Sequence, residues 1–308
     1  MGDLFKALTG GLARFVFAWM MPSIVTLGLF TIFLLPEVRS VWPFDVLVRA
    51  AASGPLAGGI LFAFLVLLFS VLFAYASLPI YRVLEGYSLP SRLQSWLRSR
   101  HIREWRRLKA REAFAIRRSG AADGLVKERL NAYPLEQADL RPTSLGNALS
   151  AMEAFGSSRY GLDSQSVWYE LQAVVPETVR RQTEEGRAPV DFFISSVAHF
   201  ALLSPAFLAV SVYRGDLGLF VGSILTGAVV PLSYRMAVRG VKDWGGSVRA
   251  LVNLGRLPLA EALGLRMPAK LAEEQEMWAT FYWAIEQRDT ALVKNYDLFR
   301  FVPKPPAG

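Results

Sequence analysis

Leu56-Ala-Gly-Gly-Ile-Leu-Phe-Ala-Phe-Leu-Val-Leu-Leu-Phe-Ser-Val-Leu-Phe-Ala-Tyr-Ala-Ser77 is an unbroken apolar run without a charged side chain. An α-helix crosses a hydrocarbon core of ~30 Å in ~20 residues and satisfies its own backbone hydrogen bonds on the way, so this stretch predicts a membrane-spanning helix. Runs of similar composition at Phe15–Leu35, Phe192–Val212 and Leu217–Leu232 complete two pairs around a long basic middle. The expected fold class is all-α: a polytopic membrane protein with four transmembrane helices and a helical cytoplasmic domain. The expected organisation is a first transmembrane pair over 1–79, a cytoplasmic helical segment over 80–190, a second pair over 191–234, and a cytoplasmic helical region with a flexible tail over 235–308.

Composition narrows the chemistry. Of 308 residues, 53% are apolar, above the ~45–50% usual for soluble domains. There is no cysteine, which excludes disulfides, thiolate metal sites, iron–sulfur clusters and a thiol nucleophile. No other metal or cofactor signature is present, so neither is expected.

The net charge of +8 is placed where membrane insertion explains it. Residues 80–190 hold 18 of the 34 lysines and arginines, and 11 more follow Tyr234. The two remaining connections carry only Arg39, Arg49 and Arg214. The positive-inside rule puts both termini and the middle segment in the cytoplasm, and it makes nucleic acid an unneeded partner. Lys6 and Arg14 precede an apolar run too long for a signal-peptide core, which suggests a retained anchor.

Within the predicted spans, His199 is the ionisable residue nearest mid-membrane. It could titrate or gate, although a lone histidine on an apolar helix ordinarily makes one interhelical hydrogen bond. Pro22, Pro205 and Pro231 predict kinks. Gly218 and Gly222 match the Gly-x-x-x-Gly spacing that lets helices approach closely. Leu65, Phe69 and Phe73 recur every four residues and share one face of the second span. In a symmetric homo-oligomer that face could form an apolar constriction that gates ions by dewetting; otherwise it meets lipid and neighbouring helices.

Just inside the membrane, Arg82 and Glu85 can meet on one helical turn, while Tyr81 and Tyr87 suit the interface. Gly86 and Pro90 close that helix. Residues 91–118 then place Leu93, Trp96, Leu97, Trp105, Leu108 and Phe114 among many basic residues. Arg92, Arg98, Arg103, Arg106, Arg107, Lys109, Arg111 and Arg117 could hold anionic lipid headgroups of the bilayer.

The most motif-like cytoplasmic stretch is Arg141-Pro-Thr-Ser-Leu-Gly-Asn147, followed by Arg159-Tyr-Gly-Leu-Asp163 and Trp168. Pro142 and Thr143 open a helix with Leu145, Leu149 and Met152 on one face, and Arg159–Asp163 reads as a turn before a helix beginning near Ser164. Arg141, Asn147, Tyr160, Asp163 and Trp168 are its candidate functional residues. The pattern Pro-Thr-x-Leu-Gly-Asn, then Tyr-Gly-x-Asp and Trp, downstream of Leu-x-Glu-Gly-Tyr, resembles a group of uncharacterised bacterial four-span membrane proteins. That resemblance covers about residues 79–176 and implies a bacterial plasma membrane, with no activity attached. The ground plan of four spans, inside termini and an apolar face on span two is similar to bestrophin-type anion channels, by topology alone.

Near the C-terminus, 259–263 and 270–293 predict helices. The second carries a stripe of Leu271, Met277, Trp278, Phe281, Ile285 and Leu292 against Glu273, Glu274 and Glu276. The expected function is a homo-oligomeric channel or pore. The alternative is a membrane-anchored regulatory or scaffold protein with a cytoplasmic protein partner and no conductance. An enzyme acting on membrane lipid would need Arg141, Asn147, Glu153 and Asp163 to converge at the bilayer surface, and is not expected.

Overall fold

The computed structural model describes residues 11–121, 123–286 and 296–301, and all its extended elements in these residues are helices. In chain order they are α1 (Gly11–Val38), α2 (Phe44–Ala51), α3 (Pro55–Tyr75), α4 (Ser77–Glu85), α5 (Ser91–Ser119), α6 (Gly124–Leu130), α7 (Ser144–Glu153), α8 (Phe155–Tyr160), α9 (Trp168–Val174), α10 (Glu177–Arg214), α11 (Leu217–Ala262) and α12 (Leu271–Glu286). Of these, α1, α3, α10 and α11 are long and apolar enough to cross a membrane. At ~1.5 Å per residue the 38 residues of α10 and 46 of α11 far exceed one hydrocarbon thickness, and only part of each is apolar. The predicted tail and Leu292 lie outside the described residues.

The chain divides into two compact units. The first comprises Met1–Ser88 with Arg187–Gly240. Its core joins Leu34 to Phe200, Leu203, Phe207 and Leu219, and Phe17 stacks on Phe192 with ring centroids 4.9 Å apart. Helix α1 widens into π turns at Val16–Met20 and Phe30–Leu34, each ending just ahead of a proline, Pro22 and Pro36. A proline ring clashes with the carbonyl one turn back, and a wider turn relieves that crowding without breaking the helix. Helices α10 and α11 meet at Gly222 and Gly227, whereas a Cβ on Gly218 would meet only Asp216. A Cβ on Gly222 would come 2.8 Å from the Phe207 ring, and one on Gly227 3.0 Å from the Ser204 hydroxyl. At that approach Ser204 Oγ donates to Ser223 O and Ser223 Oγ donates to Ser204 O, both at 3.0 Å. The connection before α3 is more ordered than its sequence suggests, since it contains α2, with Asp45 and Arg49 paired on one face.

The second unit comprises Leu89–Gly186 with Val241–Gly308. Its core gathers Leu162, Val167 and Leu171 with Leu251, Val252 and Leu259 of α11 and Met277, Trp278 and Phe281 of α12. The predicted α12 stripe is thus buried at its centre, whereas Leu271 and Ile285 are exposed. Glu274, expected on the wet side, is buried because Arg256 Nη1 donates to it at 2.6 Å. The Arg256 guanidinium also lies over the Tyr160 ring, 4.6 Å from its centroid. The inner face of α5 is fixed to the segment after α6: Arg98 donates to Leu140 O at 2.8 Å and Ala138 O at 2.7 Å, and Trp105 Nε1 to Pro134 O at 3.2 Å.

Candidate functional site

Helix α10 carries Asp191, Ser195 and His199 at intervals of four, which sets all three on one face. That face points into the first unit, and all three residues are buried. Asp191, only 1% exposed, gathers donors from three separate segments. Arg14 of α1 donates to its Oδ2 through Nη2 at 2.7 Å and Nε at 3.2 Å. Tyr81 of α4 donates to Oδ1 at 2.7 Å. Arg187, one turn back on α10, lies 3.6 Å from Oδ2. Burial first, and then the neighbouring carboxylate, hold the Tyr81 phenol well above its ordinary pKa, so it stays a donor throughout the physiological range.

Two turns further along α10 the same face meets α1 and α3. The His199 ring has Nδ1 2.8 Å from Ser195 O, so this nitrogen carries a hydrogen and donates it to the carbonyl. Its Nε2 lies 2.9 Å from Ser23 Oγ, and that hydroxyl is also 2.9 Å from Trp19 O. Phe73 stacks on the imidazole with centroids 3.8 Å apart, and Phe69 stacks in turn on Phe73 at 6.3 Å. Among the described residues Thr26 Oγ1, one turn beyond Ser23, is buried without a hydrogen-bond partner. Chemically this is a clamp: one carboxylate and one imidazole draw α1, α3, α4 and α10 together through charge-assisted and ring contacts.

The residues singled out from sequence are distributed differently. Leu65, Phe69 and Phe73 are half-buried on the inward side of α3. The outward side is Ile60, Phe64, Leu67, Leu68 and Val71, all exposed. Arg82 and Tyr87 are exposed and Glu85 half-buried, whereas Tyr81, assigned from sequence to a wet interface, turns inward to Asp191.

Arg141, Asn147, Tyr160, Asp163 and Trp168 all lie in the second unit, where most do structural work. Thr143 caps α7 by accepting from Gly146 N at 3.0 Å. Asn147, an unfavourable helix residue by propensity, accepts from Arg141 N at 2.8 Å and donates to Arg141 O at 3.0 Å and Thr143 O at 2.8 Å, stapling the incoming loop to the helix. Tyr160 donates to Asn253 Oδ1 at 2.9 Å. Asp163 accepts from Gln165 N and Ser166 Oγ, both at 3.0 Å, and this turn delays the next helix to Trp168, beyond the predicted Ser164. Replacing Asn147 by alanine removes its three hydrogen bonds to the backbone of Arg141 and Thr143, and the expected loss is about 2–4 kcal/mol. Amide exchange at Arg141 reports it directly: slow in the native chain and fast in the variant.

Sequence reasoning missed Asp191 because it stands one residue outside the apolar run. The spacing Arg187, Asp191, Ser195, His199 was the available signal. Comparison with protein-family models, with curated proteins and with solved structures finds no match for this chain.

Proposed function

We propose that the chain is a multi-pass membrane anchor and scaffold: α1, α3, α10 and α11 cross the bilayer as a dry bundle, and the second unit engages a protein partner in the cytoplasm. The sorting of polar side chains carries this reading. Ser23, Thr26, Ser70, Ser195, Ser196, His199, Ser211, Ser223, Thr226 and Ser233 are all buried in the first unit, while the outward face of α3 is wholly apolar. Such an outside suits lipid tails, and buried hydroxyls such as Ser23, Ser70, Ser196 and Thr226, bonded to their own helices, and Ser223, bonded across to Ser204, leave little to line a water path. The basic residues after α4 and after Tyr234 support a cytoplasmic position for both termini, and the motif resemblance supports a bacterial plasma membrane. A pore would need Leu65, Phe69 and Phe73 to face a symmetry axis; Phe73 stacked on His199 of its own chain is why the scaffold reading is preferred.

Liposomes containing the protein are expected to show no ion flux, and Phe69→Ala or Phe73→Ala to leave that result unchanged while lowering thermal stability. Flux that rises in either variant, with assembly intact, would restore the channel. Orientation is checked separately with a cysteine at position 120, introduced into a chain that has none. An impermeant thiol reagent should fail to label it in intact cells.

A further inference from the structure

Helix α5 has two unlike faces. One is engaged with the segment that follows α6, through Arg98, Trp105 and Arg106. The other is exposed from end to end. Beginning at Arg92, its residues follow one another at spacings of three or four: Trp96, Arg100, Arg103, Arg107, Arg111 and Phe114, ending at Arg118. An aromatic ring therefore stands near each end of a row of arginines, ~27 Å apart at the helical rise. None of these arginines pairs with a carboxylate among the described residues. Arg100 lies 5.1 Å over the Trp96 ring. Over its whole length α5 holds ten arginines and lysines against two glutamates, an excess that equals the net charge of the entire protein.

We propose that this face of α5 docks on the surface of an anionic phospholipid bilayer, with the arginines on headgroup phosphates and Trp96 and Phe114 inserted at the interface. The inference rests on the multi-pass reading. Charge complementarity selects an anionic surface. The flat, regular row then favours a bilayer over a single acidic peptide, because every arginine can reach a phosphate at once. Aromatic rings that keep one wet edge suit the headgroup zone. The tether favours it further: Ser91 follows Tyr75, the end of an apolar helix, by 16 residues, which makes the membrane surface the nearest partner at high effective concentration.

The test uses the full chain in nanodiscs of phosphatidylcholine alone or mixed with phosphatidylglycerol, with single cysteines at positions 64, 96, 114 or 169 carrying an environment-sensitive dye. Brominated lipids are the quencher. Labels at 96 and 114 should shift to the blue and be quenched in the anionic discs only. High salt, or the combined change Arg103→Gln, Arg107→Gln and Arg111→Gln, should reverse both effects. A label replacing the exposed Tyr169 should stay unquenched in both, and one replacing Phe64 quenched in both. Labels at 96 and 114 that remain wet in anionic discs, with 64 quenched, overturn the docking alone. An unquenched label at 64 overturns the membrane reading itself. Protection of 96 and 114 by an added oligonucleotide, without any response to anionic lipid, assigns the face to nucleic acid and also overturns the proposal.

Discussion

Asp191→Ala is expected to lower the unfolding free energy by about 3 kcal/mol, the scale for breaking a buried, hydrogen-bonded charge pair, reduced because the surviving guanidiniums can still reach water. The carboxylate is 1% exposed, whereas Arg14 and Arg187 are 35% and 46% exposed. Its removal therefore harms Tyr81 most, leaving a half-buried phenol without its acceptor. Asp191→Asn keeps the volume and one acceptor and should fall between alanine and the native residue. The informative comparison is the pair Arg14→Ala and Asp191→Ala. If the centre acts as one clamp, the double variant loses clearly less than the two single losses added together. Thermal unfolding in a mild detergent reads all four proteins, and strict additivity would show that Arg14 and Asp191 do not depend on each other.

Gly161→Ala should cost as much or more, about 2–5 kcal/mol from a left-handed backbone and overpacking combined. Gly161 has φ +76°, and a Cβ there would meet the backbone of Gln275 at 2.6 Å from its oxygen and 2.9 Å from its Cα. The end of α8 is tied to α12 by Gln275 Nε2, which donates to Arg159 O at 3.1 Å, so α12 has little room to retreat. Gly120 supplies the control. Its φ is +71° with nothing within 4 Å of the added carbon, so Gly120→Ala carries only the backbone part, ~1–2 kcal/mol. The difference between the two variants in unfolding experiments measures the close approach itself. Equal losses would mean that Gln275 yields freely.

What could be read from the chain followed from local rules. Four helices long and apolar enough to span a membrane were visible as composition. The opening of α7 was visible in Pro142 and Thr143, and a close helix approach at α11 in the small residue at 222. What escaped depends on partners distant in sequence. Asp191 went unremarked beside the apolar run because its partner Arg14 is 177 residues away. Glu274 looked like part of a solvated face because nothing local announces Arg256. Asn147 looked misplaced in a helix, since its value there comes from the backbone of a loop it folds back to meet. Polar residues in this chain are poorly placed by periodicity, because each is positioned by one specific bond.

Ser23 has one hydroxyl hydrogen and two acceptors at equal distance, Trp19 O and His199 Nε2. With a neutral imidazole, Nδ1–H is committed to Ser195 O, and the hydroxyl hydrogen turns toward Nε2. With an imidazolium, Nε2–H donates to the Ser23 oxygen and the hydroxyl turns to Trp19 O. The same heavy-atom positions therefore serve two proton inventories, as oxygen lattices do in ice. Rotation about a single C–O bond interconverts them, and no ring flip or repacking of Phe73 is needed to admit or release the proton.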